Sequence, residues 1–358
     1  MTRRKAYVAG FCVTVAAAGA AHAESNVTLY GVLDSGILYK TQSAPGGSAW
    51  QLATGAESTN RWGIQGAEDL GGGLQATFAL ESGFRISNGT FINGGQPATA
   101  GTVLFDRGAT VGLKSQQFGA LLVGKNRSPF YTTLVDIDVT GYSNFGSLNN
   151  IIYQNLSGFT GWQYQWVDNS VMYQMPEIYG LRGSAMYSFG GVAGNFQAKR
   201  VVSAALSWRV GDLLVGGAYF SGNDPTGATD KTAGQAYTVG ANYQLYKFRF
   251  AFDFANFRNI AKASNVDFYT GEITYQPTAF WKFAATYIKL SDQLNAKRDG
   301  NLYKLGGQYL LSKRTSLYAD VGYVKNSSLG SFGLQNSTPI GVVGKNQFGC
   351  AAGIRHTF

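Results

Sequence analysis

Between residues 237 and 254 apolar and polar side chains alternate one by one. Tyr237, Val239, Ala241, Tyr243 and Leu245 are separated by Thr238, Gly240, Asn242 and Gln244, and Phe248, Phe250, Phe252 and Phe254 by Arg249, Ala251 and Asp253. Successive side chains of a strand point to opposite faces, so each run predicts a strand with one dry and one wet face. Only Tyr246 and Lys247 lie between the runs, which makes the pair a hairpin with a very short turn. The same pattern predicts strands over Leu74 to Arg85, Phe268 to Gln276, Trp281 to Ser291, Tyr303 to Leu311 and Thr315 to Lys325. It returns at the end of the chain, where Phe348, Cys350, Ala352, Ile354 and the terminal Phe358 share one face with His356.

Connections between these strands alternate in length. Residues 68–73 and 312–314 have tight-turn chemistry, whereas Gly222 to Gly234, Ser291 to Asn301 and Asn326 to Gly344 are longer and polar. Short turns at one rim and long loops at the other are the asymmetry of an outer-membrane barrel. A strand with its share of connections takes roughly 20 residues, so the chain after residue 23 has room for about 16 strands. Arg249, Asp253, Glu81 and Glu272 fall on the faces opposite the apolar ones. Two stacked sheets would have to bury those charges without partners, at high cost, whereas a barrel around water leaves them solvated. The expected fold is therefore all-β, a 16-stranded antiparallel transmembrane barrel. One stretch has no alternation, from Ser128 to about Gln165. A patternless gap of that length inside a barrel is usually functional.

Composition supports strands and membrane together. Glycine (48), phenylalanine (23) and tyrosine (21) are abundant, and proline (7) is scarce. Mean hydropathy is −0.08, compatible with a membrane barrel because only alternate residues meet lipid. At the start, Arg3, Arg4 and Lys5 precede an apolar run that closes on Ala21, His22 and Ala23, the layout of a cleaved secretory signal over residues 1–23 with the barrel domain over 24–358. Cleavage lowers the formal net charge of +9 by three and removes Cys12, leaving Cys350 without an intramolecular disulfide partner.

Enzyme chemistry has little to stand on. After cleavage the only histidine is His356, no His/Cys cluster has metal-ligand spacing, and residues 341–346 lack the spacing and hydroxyl residue of a phosphate loop. No cofactor is expected. A pI near 9.4 invites a nucleic-acid reading, but the basic residues are scattered rather than clustered on one stripe, and we expect no nucleic-acid partner. They fit lumen and rim charges better, some of them meeting the phosphates of lipopolysaccharide. Tyr30, Tyr39, Tyr219, Tyr269, Tyr275, Trp281, Tyr287 and Tyr323 are expected as outward rings of interfacial girdles.

Several segments together resemble the general porins of Gram-negative bacteria, in particular their beta-proteobacterial and neisserial branch. They are NVTLYGVLD (26–34), NRWGIQGAEDLGGGL (60–74), ALESGF (79–84), VGL (111–113), FG (118–119), DNSVMY (168–173), YLLSKRTSLY (309–318) and GIRHTF (353–358). The resemblance implies a homotrimer of 16-stranded barrels in the outer membrane, each with short periplasmic turns, long extracellular loops and a third loop folded inward to narrow a water-filled pore. It implies basic wall residues facing acidic loop residues. Carried over, Arg61 is the wall cation of the second strand, Lys125 stands where the family usually has arginine, and Asp136 and Asp138 are the loop carboxylates, with Glu81 joining them. Arg127 is a further candidate. Trp166 departs from the family, which commonly has arginine there; beside Lys125 or Arg127 it offers either a cation–π surface or packing for the loop. Phe358 resembles the terminal signal read by the barrel-assembly machinery.

The expected function is passive diffusion of small hydrophilic solutes and ions with mild anion preference. A channel preferring small carboxylates or aromatic acids, prompted by Trp166, and a secreted all-β binding protein or adhesin are the alternatives.

Overall fold

A computed structural model describes residues 26–43, 46–92, 103–155, 164–260, 263–335 and 341–358. The leader over residues 1–23 and its cleavage site lie outside the described residues. The strands, in order, are β1 (Asn26–Lys40), β2 (Ala49–Ala53), β3 (Arg61–Gly71), β4 (Leu74–Gly83), β5 (Gly108–Ser115), β6 (Gly119–Arg127), β7 (Trp166–Gln174), β8 (Leu181–Ser188), β9 (Val201–Val210), β10 (Leu213–Asn223), β11 (Thr232–Leu245), β12 (Phe248–Asn259), β13 (Ser264–Tyr275), β14 (Trp281–Asp292), β15 (Gly300–Leu310), β16 (Thr315–Asn326) and β17 (Gln347–Thr357). Helices α1 (Pro129–Ile137) and α2 (Leu148–Asn155) lie between β6 and β7.

Each long strand pairs antiparallel with its neighbours, and β1 pairs with β17 from Val32↔Thr357 to Lys40↔Gly349, which closes the sheet on itself. The short β2 pairs with the upper end of β1 (Gly36↔Ala53 to Lys40↔Ala49) while β3 pairs with the lower end (Asn26↔Ala67 to Val32↔Arg61). Those two strands share one position on the circumference, so the barrel is 16-stranded. Closure satisfies the backbone of every strand without an open edge, the condition for crossing lipid with strands. No helix of the described residues is long and apolar enough to cross a membrane, which says nothing against such a barrel.

The two faces separate as the alternation predicts. In β12, Phe248, Phe250 and Phe252 are exposed on the outside while Asp253 is buried within. The Leu245–Phe248 hairpin forms, with Tyr246 at φ 52° in the two-residue turn. Outside, ring stacks such as Phe248 on Tyr275 (4.5 Å) and Trp281 on Phe283 (5.7 Å) build the girdle.

Two expectations change. Tyr30 faces inward, because Val27 and Leu29, 61% and 60% exposed, set the lipid phase of β1 and put Tyr30 on the other side. The connector expected over Gly222 to Gly234 is shorter, since the ladder continues through Ser221↔Gln235 and Gly222↔Gly234. Polar residues keep pairing beyond the apolar band, so hydrophobicity marks the membrane zone rather than the strand end.

Candidate pore constriction

The segment without alternation folds inward. Ser128 caps α1, its hydroxyl accepting from the Tyr131 amide at 3.1 Å, and Pro129 follows at the first helical position. Asp138 ends the helix: its Oδ1 accepts from the amides of Thr140, Gly141 and Tyr142 at 2.8, 2.7 and 2.8 Å and turns the chain. The apolar face of α1 buries Phe130, Leu134 and Ile137 against the inner wall, with Phe130 edge-on to Phe257 at 5.4 Å.

Polar contacts hold the loop along its length. Ser203 Oγ accepts from the Phe130 amide (3.1 Å), and Asn242 Nδ2 donates to the carbonyls of Asp136 (2.8 Å) and Ile137 (3.0 Å). Glu272 accepts from the Val139 amide (2.9 Å) and the Thr140 hydroxyl (3.2 Å), and Lys304 Nζ donates to Ser143 Oγ (2.9 Å). Asn144 and Asn150 donate to the carbonyls of Gly55 and Gly333 at 3.0 and 2.9 Å, tying the inward loop to the first and last long connections.

On the facing wall, Glu81 is the meeting point of three side chains. Arg107 Nε contacts its Oε1 at 2.6 Å, Arg61 Nε stands 3.7 Å from Oε2, and the Tyr30 hydroxyl donates to Oε2 at 3.1 Å. Arg107, absent from the candidates read from sequence, is a principal member of the site. It reaches Glu81 because its amide donates to the Glu81 carbonyl (3.2 Å), setting the two residues side by side. Its guanidinium lies over the Trp166 ring, 4.4 Å from the centroid. Trp166 therefore contacts Arg107, a partner not expected from sequence, and it also packs on Tyr131 of the loop at 5.4 Å. Arg127, the register partner of Trp166, lies over Tyr131 at 4.7 Å.

Lys125 sits elsewhere in the pattern. The β6–β7 ladder slips between Gly124 and Asn126, where Gly124 takes φ +123°, and Lys125 bonds Asp168 Oδ1 at 2.5 Å with only 10% of its side chain exposed. Asp136 projects into the lumen. Crowding by the wall strips part of its hydration and pushes its carboxyl above the usual range, against the opposing pull of Arg127, Arg182 and Arg209. Near the same rim, Arg85 donates to the Phe91 carbonyl at 3.0 Å, and Asp106 accepts from the Gly83 amide at 2.6 Å.

Apart from the exposed Asp136, the carboxylates around the constriction are engaged internally, while Arg127 and Arg209 keep water. Asp34 accepts from the amides of Glu57 (3.0 Å) and Ser58 (2.6 Å) and from the Tyr318 hydroxyl (2.8 Å). Glu57 and Asp320 flank the buried Lys304 at 3.5 and 3.4 Å. Around the lumen, Arg127 and Arg209 are exposed and Arg249 and Arg355 half-buried, with Arg355 and Arg107 close enough to repel Arg61. Among the described residues no group of His, Cys, Asp and Glu could hold a metal ion.

These features have relatives. A family model described as Gram-negative porin matches residues 10–329. An outer membrane porin protein of Bordetella pertussis is 30% identical over 99% of this chain and 98% of its own. Outer membrane porin protein 32 of Delftia acidovorans is 29% identical over 96% and 97%. Among solved structures, the anion-selective porin from Comamonas acidovorans superposes with a TM-score of 0.80 at 23% identity, covering 94% of this chain and all of that one, a likeness of fold. A closed sheet, an inward loop and matches that run nearly end to end leave one conclusion: the chain belongs to the Gram-negative porin family and is an outer-membrane diffusion channel, not an enzyme.

Proposed function

We propose that this barrel passes small hydrophilic anions in preference to cations, and that Arg61, Arg107, Arg127, Glu81 and Asp136 form its constriction. The observation that carries it is the asymmetry of charge use. Glu81 is matched by two arginines and a tyrosine, and Glu272 and Asp138 are engaged in holding the loop, whereas Arg127 and Arg209 stand exposed in the lumen against Asp136 alone among these carboxylates. A unit charge about 4 Å from an ion is worth about 1 kcal/mol in water and several times that where the surroundings are less polarisable. A tenfold bias needs about 1.4 kcal/mol, so one or two unmatched arginines suffice. The Comamonas acidovorans structure with this fold is named anion-selective, which agrees.

The test is a reversal potential in planar bilayers under a potassium chloride gradient. A potential on the chloride side of zero is expected; one on the potassium side would overturn the assignment. Trp166 is buried between Arg107 and Tyr131, so it offers no open ring to an aromatic acid, and linear, unsaturating conductance is expected.

The assembled form we propose is a homotrimer in the outer membrane, in contact with lipid and lipopolysaccharide. Residues 1–23 act as a cleaved export signal, and Phe358 serves as the signal for the barrel-assembly machinery. The layout of Arg3 to Lys5 before the Ala21, His22, Ala23 site and the outward ring of Phe358 support these assignments.

A further inference from the structure

Arg107, Trp166, Tyr131 and Arg127 form one continuous stack across the constriction, with successive separations of 4.4, 5.4 and 4.7 Å. Its members come from four places: the approach to β5, the first residue of β7, the first turn of α1 and the end of β6. Three of them are set by backbone contacts. Trp166 and Arg127 are ladder partners, and the Tyr131 amide is fixed by the Ser128 cap.

An arginine in a pore has two ordinary fates. Paired with a carboxylate it is well placed but its field is cancelled; unpaired, its long side chain samples many rotamers and its charge is spread over the lumen. A ring face offers a third, because the quadrupole attracts the cation without supplying a counter-charge. Arg127 has this arrangement, lying on Tyr131 with no ion pair among the described residues, and Arg107 has it on one side, with Trp166 beneath it and Glu81 at its Nε.

We infer that Tyr131 and Trp166 are positioning residues for selectivity: Tyr131 holds Arg127 in fixed orientation while leaving its charge available to permeating anions, and Trp166 supports that stack from behind, between Tyr131 and the Glu81-paired Arg107. Because Tyr131 belongs to the inward loop, the field of the pore is then coupled to docking of that loop. The inference rests on the anion assignment only for the sign of the preference.

The experiment is a double-mutant cycle read by reversal potential and single-channel conductance. Tyr131→Leu and Trp166→Leu, which keep an apolar side chain and lose the ring face, should each lower the chloride-to-potassium permeability ratio about two- to threefold, a loss within the range of a cation–π contact. Tyr131→Phe and Trp166→Phe should restore it. In an Arg127→Gln background Tyr131→Leu should have no further effect, since the residue through which it acts is gone. Equal losses from leucine and phenylalanine variants, unchanged ratios in the leucine variants, or additive effects of Tyr131→Leu and Arg127→Gln would each overturn the inference. The wild-type potential alone decides the anion assignment, so the two failures are distinguishable.

Discussion

The backbone of Phe358 exchanges hydrogen bonds with Gly31 in both directions, each at 3.1 Å, and its ring fills the space a Gly31 side chain would need, 2.4 Å from where a Cβ would stand. The last residue of the chain is thereby locked to the first barrel strand at the seam that closes the sheet. Deleting Phe358 removes both bonds, each worth about 1 kcal/mol, and its ring. Gly31→Val overpacks the same spot, at a cost of about 1–3 kcal/mol. Both variants should be exported normally yet give less of the folded, heat-modifiable species on semi-native gels. Wild-type yields from both would remove the seam from the assembly pathway.

Asp136 is an exposed carboxylate on the inward loop. Its carboxyl is raised above the ordinary aspartate value, first by loss of hydration, so it takes up its proton at a higher pH than a free aspartate. Protonation removes one negative charge from beside Arg127, Arg182 and Arg209. Chloride preference should therefore rise as pH falls from neutrality through that range, and Asp136→Asn should show the raised preference at neutral pH with the step abolished. Reversal potentials measured as a function of pH check this, and an unchanged step in the variant would contradict it.

Lys125 and Arg127 are two residues apart and differently placed. Lys125 is engaged with Asp168 at the slip in the ladder, whereas Arg127 is exposed on a loop tyrosine. Arg127→Met should lower the permeability ratio about twofold or more. Lys125→Met should shift it less and instead lower thermal stability by about 1 kcal/mol at most, because Asp168 is 56% exposed and water screens the lost pair. Ion-ratio and melting measurements on both variants separate the effects.

The inward loop is latched by Glu272, which holds the Val139 amide and the Thr140 hydroxyl. Glu272→Ala leaves that amide without its acceptor, at about 1–3 kcal/mol, and should free the loop. Larger and noisier single-channel conductance is expected, with a smaller change for Thr140→Val, which loses one of the two bonds. Conductance unchanged in both would mean the remaining contacts hold the loop alone.

Much of this molecule was legible one residue at a time. The hairpin from Leu245 to Phe248, the dry phenylalanines of β12 and the strand ending in Phe358 follow from alternation alone, because a strand between lipid and water cannot mix its faces. The loop from Ser128 was legible as a break in that pattern, and its helices follow from local signals, a serine cap and a proline.

The site was legible only in part. Arg61, Glu81, Arg127 and Asp136 were named, but Arg107 was not: it lies just before β5, and its place is set by pairing beside Glu81, a contact between strands. Counting by two cannot be carried past Gly124, where the ladder slips and the face of Lys125 is decided by its bond to Asp168.

Period-two patterning determined the barrel, its membrane setting and the position of the loop between β6 and β7, since these depend on how each residue partitions between lipid and water. Which charges face the permeating ion was decided by tertiary structure alone. Whether a carboxylate supplies field or is spent holding a loop depends on what lies opposite it, as with Glu272 against Thr140 and Glu81 against Arg107, and those partners are 132 and 26 residues away along the chain.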